Sequence, residues 1–173
     1  DRVAFADVTL GVQDLSPYPS GAYTGALCTR NLDGFGVRYA ILGHSERRRY
    51  FAETSAMVAQ KVEQALEGGI TPIVCVDADE IGEQATALDD EHKQQIIVAY
   101  EPHEYIGTGV TQGVDEILQE VARIKDVFGD VQVLYGASVN PETMRELTGH
   151  DEIAGFLVGS ASLDAKTFAQ MLV

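Results

Sequence analysis

Tryptophan is absent from all 173 residues, cysteine occurs only twice, and basic side chains are scarce, with 12 Lys and Arg against 27 Asp and Glu. Each shortage excludes something. Cys28 and Cys75 cannot make a disulfide framework, and Cys75 lies inside an apolar run, so both read as reduced thiols of a cytoplasmic protein. The net charge of −15 repels nucleic acid and anionic lipid surfaces, so neither is expected as a partner. No stretch approaches the roughly 18 apolar residues of a membrane span, and Asp1-Arg2-Val3 has no leader pattern. Any anionic ligand must be held by local donors, such as backbone N–H groups, helix N-termini or a single lysine, against an unfavourable overall field.

What is present is regular. A 45% hydrophobic content supports one globular domain over residues 1–173, large enough to bury a core. Apolar runs predict strands at 3–12, 37–43, 70–76, 96–100, 131–135 and 153–158, separated by segments of helical spacing. One such segment carries Val58, Val62, Ala65 and Leu66 on one face and stops at Gly68-Gly69; another carries Val114, Ile117, Leu118, Val121, Ile124 and Phe128 and stops at Gly129. Ser45 is placed to cap a helical turn, Thr54 or Ser55 to cap the next helix, and Asn140-Pro141 supplies a cap with proline in the first turn. Strands alternating with helices imply an α/β fold of parallel βα units, whose strand C-termini share one rim.

The stretch from Val98 to Gly109, VAYEPHEYIGTG, organises the rest. A strand delivers Glu101 at its C-terminal end, Pro102 stops the strand, and Gly107-Thr108-Gly109 offers unobstructed backbone N–H groups to a small anion. This is a general base followed by a candidate lid. Elsewhere, ILGHSERR places His44 at the end of the second predicted strand, LYGASV places Ser138 after the fifth, and GFLVGSASL places Gly159 and Ser160 after the sixth. With His44, Glu101, Ser138 and Gly159 on one rim, His44 and Glu101 rise from alternate strands and converge on one small substrate.

These four segments, in this order, resemble the triosephosphate isomerase family. The resemblance covers nearly the whole chain, and the six predicted strands match the family's third to eighth. It implies a TIM-barrel-like parallel fold with six βα units, incomplete or atypically closed, because the chain is short of the ~200–250 residues of an eight-unit barrel. It implies interconversion of dihydroxyacetone phosphate and glyceraldehyde 3-phosphate, with Glu101 as base and His44 as electrophile, kept neutral by the helical turn that begins at Ser45. Gly107, Ser138, Gly159 and Ser160 would hold the phosphate, and Glu46 and Tyr135 would support the site, with Glu46 and Arg47 as an ion pair on the rim. No metal or other cofactor is implied. His92, His103 and His150 read as surface residues.

Departures from the family pattern carry expectations of their own. Ala137 and Ser160 replace glycines, which requires negative φ at both. The lid's usual Val-Trp is His103-Glu104, and Asp77-Ala78 stands where the family has Gly-Glu. The family's first strand supplies an asparagine and a lysine, and nothing before Asp1 can do so here; Lys61, Lys93, Lys125 and Lys166 lie in helices or crossovers, away from the rim. Very low activity for this chain alone is therefore expected. So is covering of the open sheet edges by a second copy in a homodimer, by a smaller reclosed barrel or by a separate N-terminal piece. A non-catalytic phosphometabolite-binding or assembly module is the alternative reading. A natural short form and a fragment of a longer isomerase both stay open.

Overall fold

The computed structural model describes residues 8–172. Six strands, β1 (Leu10–Val12), β2 (Val37–Leu42), β3 (Thr71–Val76), β4 (Ile97–Tyr100), β5 (Gln132–Tyr135) and β6 (Gly155–Phe156), pair in chain order, every neighbour parallel. The sheet is a curled half-barrel, not a smaller reclosed barrel: among the described residues β1 and β6 each have one neighbouring strand. Residues 3–7 of the first expected strand lie outside the described residues. The last strand is shorter than its apolar run, pairing only through Leu134 with Gly155 and Tyr135 with Phe156.

Among the described residues seven α-helices connect and follow these strands: α1 (Ser45–Phe51), α2 (Ser55–Glu67), α3 (Ile81–Ala87), α4 (Asp90–Lys93), α5 (Val114–Phe128), α6 (Pro141–Leu147) and α7 (Ala165–Ala169). Their ends follow local chemistry. Thr54 accepts from the Met57 N–H to open α2, Asn140 accepts from the Glu142 and Thr143 N–H groups to open α6, and Gly129, with φ of 90°, closes α5. In α1 the expected cap at Ser45 moves back one residue. His44 holds the extended N-cap position and its Nδ1 accepts from the Glu46 N–H at 3.3 Å, while Ser45 is already helical.

The strands alternate except at the C-terminal ends of β3 and β4, where Cys75 and Ala99 are buried on the hollow side as well. Ala40, Leu42, Val74, Val76, Val98, Tyr100, Val133 and Tyr135 point to the helices, where Val58, Val62, Ala65, Ile117, Val121 and Ile124 cover them. The intervening residues Tyr39, Ile41, Ile73, Ile97 and Leu134 stay half-exposed, because the other face lines the hollow of the half-barrel. This hollow is where the strand C-termini deliver their functional side chains.

Candidate active site

A single cavity of about 890 Å³ takes in His44, Glu46, Glu101, Gly107, Ser138, Gly159 and Ser160. Seven of the eight residues singled out from sequence therefore share one mouth. Tyr135 is the eighth and points the other way, into the helix-covered core. Its hydroxyl makes no hydrogen bond among the described residues, and burial pushes its pKa up to about 12.

Glu101 leaves the end of β4 almost wholly buried, at 1% exposure. Its N–H donates to the Val76 carbonyl at 2.9 Å, which extends the β3–β4 ladder by one bond and fixes where the side chain begins. Oε1 lies 3.1 Å from His44 Nε2, and Oε2 accepts from the Ser45 N–H at 3.3 Å. Gly136 makes room for it: a Cβ there would lie 3.1 Å from Glu101 Cγ and 3.3 Å from Leu157 Cβ. Sequence reasoning treated Gly136 as part of a phosphate loop and missed this packing role, which only a spatial neighbour reveals.

His44 is under two opposed influences. With Nδ1 accepting from an amide at the start of α1, the ring proton sits on Nε2 and faces Glu101. The Glu101 carboxylate raises the His44 pKa above its ordinary value through this hydrogen bond, and burial works against it. Beneath the pair, Cys75 is fully buried; burial first and the Glu101 carboxylate second push its thiol well above the usual range.

The lid continues from the end of β4 and lines the cavity through Ile106, Gly107 and Gly109. After Pro102 comes one turn of 3-10 helix, His103–Tyr105, then Gly107 and Gly109 with φ of 72° and 77°. Ser138 ties the lid down: its Oγ accepts from the Gly109 N–H at 3.1 Å and donates to the Tyr105 carbonyl. The Ser138 backbone is left-handed, φ 45°, a conformation costing roughly 1–2 kcal/mol for a side-chain-bearing residue and repaid here by the two lid contacts. Ala137 and Ser160 are not in that region, as their side chains require. The N–H groups of Gly107, Ser138 and Gly159 donate to no backbone acceptor among the described residues, and so remain free for an anion.

The charges of the rim are arranged differently from expectation. Arg47 pairs with Asp14 at 2.9 Å and Glu53 at 2.7 Å, not with Glu46. Lys61 is not remote: buried in α2, it reaches Asp14 at 2.5 Å and also contacts Glu53. Glu46 serves His44 through its backbone. Among the described residues lining the cavity, Asp14, Glu46, Glu101 and Asp164 are acidic, and Arg47 alone is a lysine or arginine.

With this geometry in hand, the relatives of the chain are informative. Residues 1–173 match the family model described as triosephosphate isomerase. A triosephosphate isomerase of Mycobacteroides abscessus is 42% identical over 188 aligned positions, covering 95% of this chain and 72% of the relative. Those of Herminiimonas arsenicoxydans and Thermus thermophilus are 40% and 39% identical, covering 95% and 98% of this chain and 76% and 78% of theirs. The alignment to the M. abscessus protein is longer than the 173 residues here, so that relative carries positions inside the matched region that this chain lacks. No helix among the described residues is long and apolar enough to cross a membrane.

Proposed function

Because the chain belongs to the triosephosphate isomerase family, we propose that it interconverts dihydroxyacetone phosphate and glyceraldehyde 3-phosphate by proton transfer at Glu101 with His44 as electrophile. The observation that carries this reading is the 3.1 Å contact between Glu101 Oε1 and His44 Nε2 inside the cavity that the lid and the two terminal loops share. A buried carboxylate at the edge of the cavity and an N–H donor beside it are the pair that enediol chemistry needs. When substrate enters, its carbonyl oxygen takes the place of Oε1 on the His44 Nε2–H. Glu101, released, removes a proton from the carbon next to the carbonyl. His44 Nε2–H donates its proton to the oxygen on which charge develops, and the ring, its other nitrogen occupied by the Glu46 amide, takes back the proton of the hydroxyl on the neighbouring carbon. Glu101 then returns the proton to the adjacent carbon, and the carboxylate is regenerated.

The phosphate is held by the N–H groups of Gly107, Ser138, Gly159 and Ser160, and the substrate is a phosphorylated three-carbon compound. In this reading turnover by the chain alone is very low. Among the described residues the one cavity-lining arginine is already held by Asp14 and Glu53, so none of them offers a free fixed cation to a phosphate dianion. The N–H groups of Gly107, Ser138 and Gly159, which donate to no backbone acceptor among the described residues, also suit the second reading, a phosphometabolite-binding or assembly module without turnover. We further propose a cytoplasmic location and self-association as a homodimer that covers the sheet edges.

A coupled isomerase assay separates the two readings. Glu101→Gln removes the base and keeps the shape, and is expected to lower kcat about 10³-fold. Turnover unchanged by Glu101→Gln overturns the mechanism; phosphate binding without measurable turnover in the unaltered chain favours the module.

A further inference from the structure

Two departures from the family pattern meet in space: Asp77, at the end of β3, and His103, in the lid just beyond Pro102. His103 Nδ1 lies 3.0 Å from Asp77 Oδ2. We infer that this contact is the clasp of the lid's hinge end, and that His103 is a positioning residue for Glu101. The inference rests on the proposed function only for its consequence in turnover.

The placement of the two partners carries the argument. Asp77 is itself held in place. Its N–H donates to Glu80 Oε2 at 3.0 Å, and its Oδ1 accepts from the Ala78 N–H at 2.7 Å, which leaves Oδ2 directed at His103. The residue before it, Val76, carries the carbonyl that holds the Glu101 N–H. The end of β3 therefore grips the chain twice within three residues, by backbone at Glu101 and by side chain at His103. Pro102 between them has no N–H and a fixed φ, so rotation there is narrow and a tether on His103 limits the direction in which Glu101 leaves the strand. Farther along, the lid's other anchor is Ser138, through Tyr105 and Gly109. Lid residues Glu104 and Thr108 between the two anchors are exposed. A lid attached at both ends moves as a unit; one that has lost its hinge clasp swings from the Ser138 end alone.

Both members of the pair are partly open to solvent, His103 at 38% and Asp77 at 21%, so the effect is modest. Hydrogen exchange of the lid amides, 103–109, measured by mass spectrometry on the full chain, is the test. His103→Ala and Asp77→Ala are each expected to raise exchange about threefold, the scale of a half-exposed pair. The double variant is expected to exchange no faster than either single, since the same contact is lost. Asp77→Asn keeps an oxygen for the Nδ1–H and stays close to the parent rate, and His103→Ala alone carries the test if Asp77→Ala does not fold. In the isomerase assay, His103→Ala lowers kcat by a similar factor and leaves KM unchanged. Unchanged exchange in both single variants, or a double variant at the product of the singles, overturns the clasp. Coupled exchange without any turnover in the parent chain supports the clasp and counts against the isomerase reading alone.

Discussion

The two faces of the sheet divide the work of the molecule. On the helix side, Val74, Val98, Val133, Ile117 and Ile124 are at 0–1% exposure and form the continuous core. On the hollow side of the sheet, Ile41 and Leu134 are partly exposed, and Glu101 and Gly136, just past the ends of β4 and β5, line a cavity. Stability is built on one face and chemistry on the other, so a substitution on either should show itself mostly in one kind of measurement.

The largest contrast is in core truncation. Ile117→Ala is expected to cost about 2–5 kcal/mol in urea unfolding, from lost transfer energy and the cavity left behind, whereas Ile41→Ala should cost less than about 1.5 kcal/mol because solvent already reaches it. Equal losses would erase the distinction between the faces. Next comes Lys61→Ala, expected to cost about 3 kcal/mol, because Glu53 and Asp14 lose the buried ammonium that they share. Gly136→Ala should invert the pattern: little change in the unfolding midpoint, but about a tenfold fall in kcat as the new methyl presses on Glu101 Cγ. A Gly136→Ala protein with parent turnover would show that the carboxylate has slack.

The smallest effect is electrostatic. Glu101 raises the His44 pKa, so the folded state favours the charged ring; the resulting stabilisation is complete below the ordinary histidine value of about 6.5 and is lost as pH rises through the elevated one. Glu101→Gln should return the His44 titration, followed by NMR, towards that ordinary value. An unmoved titration would mean that the ring and the carboxylate do not meet in solution.

Much of this division was legible beforehand. Apolar runs marked all six strands, and glycines or caps marked both ends of α2, the end of α5 and the start of α6, because both signals are local. His44 and Glu101 were readable because strand ends in parallel βα units converge, whatever lies between them. Three features were not. The Asp14–Lys61 contact spans 47 positions, the His103–Asp77 pair joins a lid to a different strand, and Gly136 matters because of a side chain 35 residues away. None of these leaves a periodic trace, and charge partners on separate elements are fixed only when the elements pack. The cap at His44 was misread by one residue because Ser45 is the better capper by composition, while the ring nitrogen there competes only once Glu46 is in helical register.

The two thiols lie at very different depths. Cys28 is partly open at the start of a short 3-10 turn, and Cys75 is sealed under the Glu101 carboxylate with its proton held tightly. An alkylating reagent should therefore mark the first at once and the second only when the strands part. The labelling rate at Cys75 thus becomes a clock for opening of the cavity floor, read in the unsubstituted protein, with Cys28 in the same tube as the internal standard.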